Sequence, residues 1–507
     1  MKHRELFQII LFYIILHLHS LSIFGQVMYT RTYGGPNYDT ASCIQKAYDN
    51  CFIIVGGTTS FGSGSWDIYL LKIDSNGDTL WTRTYGGPDI EIGNYVQQTA
   101  DGGYIIAAMK GRSWEQTDIY LIKTDNKGNT LWTRTYDLDY EQENPNYIQQ
   151  TDDGGYIIAA SIGYLDPGIG CAAIYLIKTD DRGEILWKHA YGGSSGECCG
   201  SLRQTPDGGF IIAGWTWSYP VGTNANIYMA KTDSNGDTLW THTYTYTNCI
   251  YWSDKGEDVE LTQDGGYLIA GSHYFVIQGI PYNNIFLIKT NASGDTLLTR
   301  KYGGTTGDER AISVKKTQDG NYIIAGSKGK GLSNLNDIDF YLIKIDPDCN
   351  ILWSKTYGGD DWDLACSLQQ TSDGGYIIVG ETVSFGAGKS DVYIIKTDSY
   401  GKTGFKDKSF YQSPCNFYLL QNYPNPFNSS TNIPLYIPNQ SKISLNIFDI
   451  SGRLIKTLIK GKISFGNYLI EWDGHDQLGR SMPSGIYFYK LNIDDTNIIS
   501  RKMILIK

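Results

Sequence analysis

Asp101-Gly-Gly-Tyr-Ile-Ile-Ala-Ala108 and, shortly after it, Asp118-Ile-Tyr-Leu-Ile-Lys-Thr-Asp-Asn-Lys-Gly-Asn-Thr-Leu-Trp132 form one copy of a unit that recurs along the chain. The aromatic of the first phrase falls at Phe52, Tyr104, Tyr156, Phe210, Tyr267, Tyr322 and Tyr376, at spacings of 52 to 57 residues. The turn residue of the second falls at Gly77, Gly128, Gly183, Gly236, Gly294, Cys349 and Gly401. Each unit holds four short β-prone runs, which must stack on neighbouring units to bury themselves. In the second unit, strand a is expected near Tyr95–Thr99, b over Tyr104–Ala108, c over Ile119–Thr124 and d over Thr130–Tyr136. Asp101-Gly-Gly103 and Asn126-Lys-Gly128 supply the a–b and c–d turns, where left-handed backbone is required. Seven such units predict an all-β fold with a seven-bladed β-propeller over residues 26–405.

The phase of the repeat is informative. A d-type strand, Met28-Tyr-Thr-Arg-Thr-Tyr-Gly-Gly35, precedes the first a strand, while the last unit ends at Lys402-Thr-Gly-Phe405 without a good d strand. Met28–Tyr33 is therefore expected to complete the last blade and close the ring, removing the open edges of the array. Trp81, Trp132, Trp187, Trp240 and Trp353 lie four residues after the turn residue, with Tyr29 and Leu298 in the other copies. This hairpin resembles the tryptophan motif of quinoprotein propellers. The resemblance covers the repeat unit only: such dehydrogenases usually have eight units, and their Asp-to-Gly spacing is one residue longer.

Recurrence also separates architecture from function. The strand-c lysines (Lys72, Lys123, Lys178, Lys231, Lys289, Lys344 and Lys396) recur in every unit and read as packing or ion-pair positions. Turns such as Asp74-Ser-Asn-Gly-Asp78 place their Gly too early for a calcium loop and read as hairpins. The b–c and d–a loops, on the opposite face, vary in length and content, as binding loops on a rigid scaffold do. The d–a loops bring an acidic residue to a similar place in each unit: Asp39, Glu91, Glu143, Glu197, Glu257, Asp308 and Asp363. These carboxylates either ring the channel mouth and attract a ligand or cap turns and pair with neighbouring blades. The b–c loops carry irregular aromatics (Trp66, Trp114, Tyr164, Trp215, Trp217, Tyr219, Tyr274, Phe275 and Tyr282), suited to sugars or peptides or else to packing over the core. The candidate ligand-binding set is Asp39, Glu91, Glu143, Glu197, Asp308, Asp363, Trp66, Trp114, Trp215 and Trp217.

No residue set stands out as catalytic, and no metal or cofactor site is expected. His189 and His242 occupy a d-strand position that other units fill with Arg or Lys, and His273 is isolated. Paired rim carboxylates of the kind used in glycoside hydrolysis remain an alternative. The nine cysteines follow no metal-ligand spacing. Cys198-Cys199 resembles the vicinal disulfide of some quinoprotein dehydrogenases, with a buried structural pair as the other reading.

At 507 residues the chain is long enough for more than one domain. Residues 1–25 read as a secretory signal: Lys2, His3 and Arg4 precede an apolar run from Phe7 to Leu16, with cleavage near Gly25–Gln26. His17 and His19 end that run before the ~20 residues a membrane span needs, so a mature protein without a transmembrane span is expected. The formal charge of −11 divides into +4 from Leu420 onward (10 basic, 6 acidic) and −15 before it (32 basic, 47 acidic). So acidic a body argues against nucleic acid as partner.

The last 88 residues differ in kind from the rest. Ser444-Leu-Asn-Ile-Phe-Asp449 alternates polar and apolar residues, as a half-buried strand does. Leu454–Ile459, Tyr468–Trp472, Gly485–Leu491 and Met503–Ile506 add further β-prone runs, with Gly452, Gly474, Gly479 and Gly485 between them. A small immunoglobulin-like β-sandwich over residues 420–507 is expected, joined by a linker at 406–419. Its motifs run in order: Asn422, Tyr423, Pro424, Asn425, Pro426 and Phe427; Gly452 and Arg453; Trp472, Asp473 and Gly474; Gly485 and Tyr487; and Lys502 near the end. This series closely resembles the type A C-terminal sorting domain of the type IX (Por) secretion system. The resemblance implies recognition by that machinery and export through the periplasm and across a bacterial outer membrane. Release or attachment to surface lipopolysaccharide would follow, in an environment that permits disulfides. The functional expectation is a secreted or cell-surface binding propeller for an extracellular glycan or protein. The alternatives are an extracellular hydrolase and a structural spacer in the surface layer.

Overall fold

The computed structural model describes residues 28–163, 173–193, 195–218, 225–245, 253–277, 280–304, 308–329, 338–403, 418–419, 422, 425, 427–437, 440–464, 466–493 and 497–506. The expected signal segment, most of the linker, and Tyr164, Tyr219, Tyr423, Pro424 and Pro426 lie outside them. Two compact units divide between Ser409 and Phe410.

The first unit is a seven-bladed β-propeller of four-stranded antiparallel sheets. Blade 1 comprises Cys43–Lys46, Phe52–Thr58, Asp67–Ile73 and Thr79–Tyr85 as strands a to d. Blades 2 to 6 repeat this order over 90–136, 142–191, 197–244, 253–302 and 309–357. Blade 7 takes its first three strands from Asp363–Gln370, Tyr376–Thr382 and Asp391–Thr397. Its fourth is Tyr29–Tyr33, antiparallel to Asp391–Thr397 with Tyr29 opposite Lys396 and Tyr33 opposite Val392. The ring is thus closed by the N-terminal strand. Each a strand also packs against the a strands of the adjacent blades, around an unbroken circuit. These strands therefore line the central channel. The d strands form the outer edges, with side chains alternately exposed.

The repeated residues build the joints between blades. The d-strand tyrosine of each blade donates its hydroxyl to the turn carbonyl of the next: Tyr85 to Gly128 at 2.6 Å, Tyr136 to Gly183 at 2.7 Å and Tyr191 to Gly236 at 2.6 Å. Tyr244 reaches Gly294 at 2.7 Å, Tyr302 reaches Cys349, and Tyr357 reaches Gly401 at 2.5 Å. Tyr33 of the closing strand reaches Gly77 of blade 1 at 2.5 Å, so the seam carries the same latch. The d-strand tryptophan docks on the same turn: a methyl at Gly128 would lie 3.1 Å from the Trp81 ring. Cys349 replaces Gly in this turn yet keeps φ at 57°, a left-handed conformation that the hairpin imposes.

Within each blade the strand-c lysine pairs with the Asp of the a–b turn, from Lys72–Asp49 at 2.6 Å through Lys178–Asp153 at 2.8 Å to Lys396–Asp373 at 2.9 Å. Burial raises the Asp153 carboxyl. The hydrogen bond from Lys178, with those from Thr151 and the Gly155 amide, outweighs it and holds the group at about 2. Asp207 behaves alike, also at about 2, with Thr205 and Lys231 as its principal donors.

The second unit is a β-sandwich. One sheet joins Tyr418–Leu419, Thr431–Ile437 and Gly466–Trp472; the other joins Leu454–Ile463, Ser441–Asp449, Gly485–Ile493 and Asn497–Leu505. Trp472 is fully buried, with Phe427 and Tyr487 edge-on at 5.5 and 5.2 Å between ring centroids. The motif residues hold the sandwich together. Asn422 is buried and donates from Nδ2 to Thr431 at 2.9 Å, and Asn425 Oδ1 accepts from the Ile504 amide at 2.8 Å. Arg453 pairs with Asp449 at 3.0 Å across the turn at Gly452, and Lys456 with Asp473 at 2.9 Å. Gly474 takes a left-handed turn after Trp472. Gly485 and Lys502 lie on the paired last two strands.

Candidate functional site

Strand register identifies which acidic residues are equivalent. In each blade, the residue six positions after the b-strand aromatic faces one a-strand carboxylate. By this measure the set is Asp39, Glu91, Glu143, Glu197, Asp254, Glu309 and Asp363. Asp254 and Glu309, rather than Glu257 and Asp308, occupy the position in blades 5 and 6. Unequal d–a loops hid this offset from alignment by spacing.

These seven residues are 0 to 5% exposed, so they do not form an open acidic rim. Most of them cap d–a loops. Asp39 accepts from the Gly35 amide at 2.7 Å, Glu91 from Gly87 at 3.2 Å, Glu143 from Leu138 at 2.6 Å and Asp363 from Gly359 at 2.7 Å. The b–c loops reinforce two of them through the Ser60 and Ser384 hydroxyls, at 2.6 and 2.9 Å. Thr216 donates to Glu197 at 2.8 Å, Lys328 pairs with Glu309 at 3.3 Å, and His273 bonds Asp254. Burial raises Glu143 to about 7, against the Leu138 and Tyr140 amides, with Asp118 and Asp137 adding to the rise. Asp308 is elsewhere, paired with Arg310 at 3.0 Å.

What breaks the pattern lies in the channel. Each a strand, or in blade 1 the stretch between the Asp39–Thr58 bridge and the strand, carries one extra residue: Ser42, Asn94, Asn146, Gly200, Glu257, Ile312 and Cys366. Such a bulge leaves one residue outside the ladder and re-aims it. Ser42, Asn94 and Asn146, with Ile92, Asn144 and Met109, line a recess of about 490 Å³ on blades 1 to 3. Asn146 Oδ1 accepts from the amide and hydroxyl of Ser161 at 3.0 and 2.8 Å, which fixes this side chain. At the same two levels blades 5 and 6 present Lys255, Glu257 and Arg310. One side of the mouth is therefore neutral amide and the other is charged. No signal in a single strand reveals these bulges, because a bulge exists only relative to its partner.

Further along the a strands, a belt of side chains crosses all seven blades. Gln369 donates to Gln45 at 3.3 Å, Gln45 to the Tyr95 hydroxyl at 2.9 Å, and the Tyr95 and Tyr147 rings lie 4.3 Å apart. Arg203 covers Tyr147 at 5.1 Å and pairs with Asp258 at 2.7 Å, and Lys315 meets the same carboxylate at 3.2 Å. Burial raises the Asp258 carboxyl, but Arg203 and Lys315 outweigh it and lower it.

The aromatic candidates separate. Trp66 stacks with Tyr38 at 6.3 Å and 26°, and meets Trp114 at 6.3 Å and 76°. Tyr38 is 43% and Trp114 50% exposed. A methyl at Gly57 would touch both the Trp66 ring (2.9 Å) and Ile92 (3.3 Å), so this row abuts the recess. Trp215 is half-buried beneath Lys255, whose Nζ lies 4.9 Å from its ring centroid, and Trp217 is also half-buried. Phe275 and Tyr282 are buried packing residues, while Tyr274 is exposed. Cys198 is disulfide-bonded whereas Cys199 is a free thiol, so the two do not form a vicinal disulfide. The partner of Cys198 lies outside the described residues. Among the described residues, no group of three or more His, Cys, Asp or Glu side chains is placed to hold a metal, and no helix is long and apolar enough to cross a membrane.

A model of the FlgD Ig-like domain family matches residues 427–497, within the C-terminal sandwich. No curated protein matches the chain. Among solved structures, puromycin hydrolase is similar at 11% identity and a TM-score of 0.45, covering 79% of this chain. This chain spans 59% of that enzyme's length. The Pan2 WD40 domain of Neurospora crassa is 9% identical, with a TM-score of 0.43, covering 75% of this chain and 99% of that one. The Penicillium chrysogenum alpha-L-arabinanase complexed with arabinobiose is 9% identical, with a TM-score of 0.40, covering 74% and 98%.

Proposed function

We propose that this chain is an exported protein whose propeller is a non-catalytic binding module for an extracellular glycan or protein. The observation that carries the reading is the channel mouth. Seven blades share their latches, their turn pairs and a buried carboxylate at one register position, while the residues aimed into the mouth differ from blade to blade. A single ligand on a symmetric scaffold needs such a departure from symmetry. Of the rim carboxylates a hydrolase would use, Asp39, Glu91, Glu143, Glu197 and Asp363 are buried and hydrogen-bonded, which favours binding over hydrolysis. Residues 1–25 would direct the chain across the inner membrane. Residues 420–507 would address it to the type IX machinery, for release or attachment to surface lipopolysaccharide.

Binding is tested by presenting the full chain to a glycan array and to extracellular proteins in pull-down. Capture weakened by Asn144→Ala or Asn146→Ala supports the reading. Measurable polysaccharide cleavage without capture would reverse it. Export is tested in a bacterium with a type IX system: the intact chain should reach the surface or medium, and a chain ending at residue 419 should stay in the periplasm. Equal export of both would remove the assignment of the tail.

A further inference from the structure

We infer that the Tyr38–Trp66–Trp114 row binds a neutral, linear oligosaccharide and feeds one end of it into the recess on blades 1 to 3. This rests on the binding reading above and names its ligand class. Tyr38 and Trp66 stack within 26° of parallel with centroids 6.3 Å apart, and Lys389 lies over Tyr38, so this pair backs the row. Trp114 stands at 76° to Trp66 and is 50% exposed, which makes it the open ring of the row. A sugar ring would lay its C–H face on Trp114, and the next would turn toward the recess. Aromatic faces carry partial negative charge that favours such C–H contacts. The recess beside them offers Ser42, Asn94, Asn144 and Asn146. An amide presents two donors and an acceptor, matching neighbouring sugar hydroxyls.

Charge argues for a neutral chain. The protein before Leu420 carries −15, counted from 32 basic and 47 acidic residues, which disfavours a polyanion. Lys389 is engaged over the Tyr38 ring at 4.9 Å, and Lys110 pairs with Glu91 at 3.2 Å. Polar lining also fits a sugar better than a protein, whose energetic anchors fill dry pockets.

The test is calorimetric titration of the full chain with neutral cello-, xylo- and laminari-oligosaccharides and with oligouronates. Trp114→Ala, half exposed and safe for folding, and Trp66→Ala should each weaken binding of a neutral oligosaccharide roughly ten- to hundredfold. Tyr48→Ala, 73% exposed on the opposite face, should leave it unchanged. Matching thermal melts would show that the variants fold. Neutral binding indifferent to both tryptophans but lost in Asn146→Ala would overturn the row while sparing the channel-mouth reading. Binding of oligouronates alone, or of no glycan while a protein is captured, would overturn the ligand class and leave the binding function standing.

Discussion

The two halves of the channel are built from the same strand positions and reach opposite chemistry. At two lower levels, one and three residues after the b-strand aromatic in register, blades 7, 1, 2 and 3 carry Gln369, Gln45, Tyr95 and Tyr147, and blades 4, 5 and 6 carry Arg203, Asp258 and Lys315. Higher up, the recess amides face Lys255, Glu257 and Arg310. The outer joints are the same throughout. A closed ring thus fixes its frame by repetition and leaves the inner strand free to diverge, and the divergence marks a direction across the mouth. On the function proposed above, the neutral half, which adjoins the aromatic row, is the binding half.

The largest expected effect opens the neutral half at its seam. Deleting residues 28–33 removes the strand paired with Asp391–Thr397 and the Tyr33–Gly77 latch. Loss of a single cooperative melt should follow, because blade 7 keeps an unpaired edge; an unchanged melting temperature would refute closure. Next, Asp258→Ala in the charged half strips both Arg203 and Lys315 of their buried partner. A cost of about 3 to 5 kcal/mol is expected in chemical denaturation. Gln45→Ala in the neutral half should cost only about 1 kcal/mol. Equal costs would erase the distinction between the halves.

A pH dependence gives a finer test. Burial raises Glu143 to about 7 in the folded protein, above its unfolded value of about 4.3. Its contribution is present in full below the unfolded value and is lost as pH rises through about 7. Glu143→Gln should therefore flatten the fall in melting temperature between about pH 4 and pH 7; an unaltered slope would show that another group titrates. The turn aspartates have the opposite sign. Asp153 and Asp207, held at about 2, contribute above the usual carboxylate range and lose that contribution as pH falls toward 2. The smallest effect is Lys123→Met at one repeated turn. Its partner Asp101 is 57% exposed, so under about 1 kcal/mol is expected, and the same in blades 3 and 4, where Asp153 and Asp207 are 59% and 58% exposed.

Much of the frame was legible in the sequence because each joint uses a residue at a fixed offset in every unit. Thr130–Tyr136 forms strand d over the span expected, Tyr29–Tyr33 closes the ring, and the strand-c lysines form the expected ion pairs. Strand a was read too short: it runs from Ile90, because its first half is held by register with strand b rather than by an apolar pattern. In the sandwich, Thr431–Ile437 was not anticipated, since Pro434 interrupts its run. The site was legible only in part. Trp66 and Trp114 stand out as irregular aromatics, but Tyr38 sits in a d–a loop and joins them only through folding. Asn94, Asn146 and Glu257 reach the channel through bulges, which a linear spacing cannot show.

The most direct test of the account is hydrogen exchange on the full chain with and without a neutral oligosaccharide that it binds. Protection should fall on 37–38, 59–66, 92–94, 112–116 and 144–146, with the a–b and c–d turns unchanged. Protection centred on those turns, or on the Lys255, Glu257 and Arg310 side alone, would contradict it.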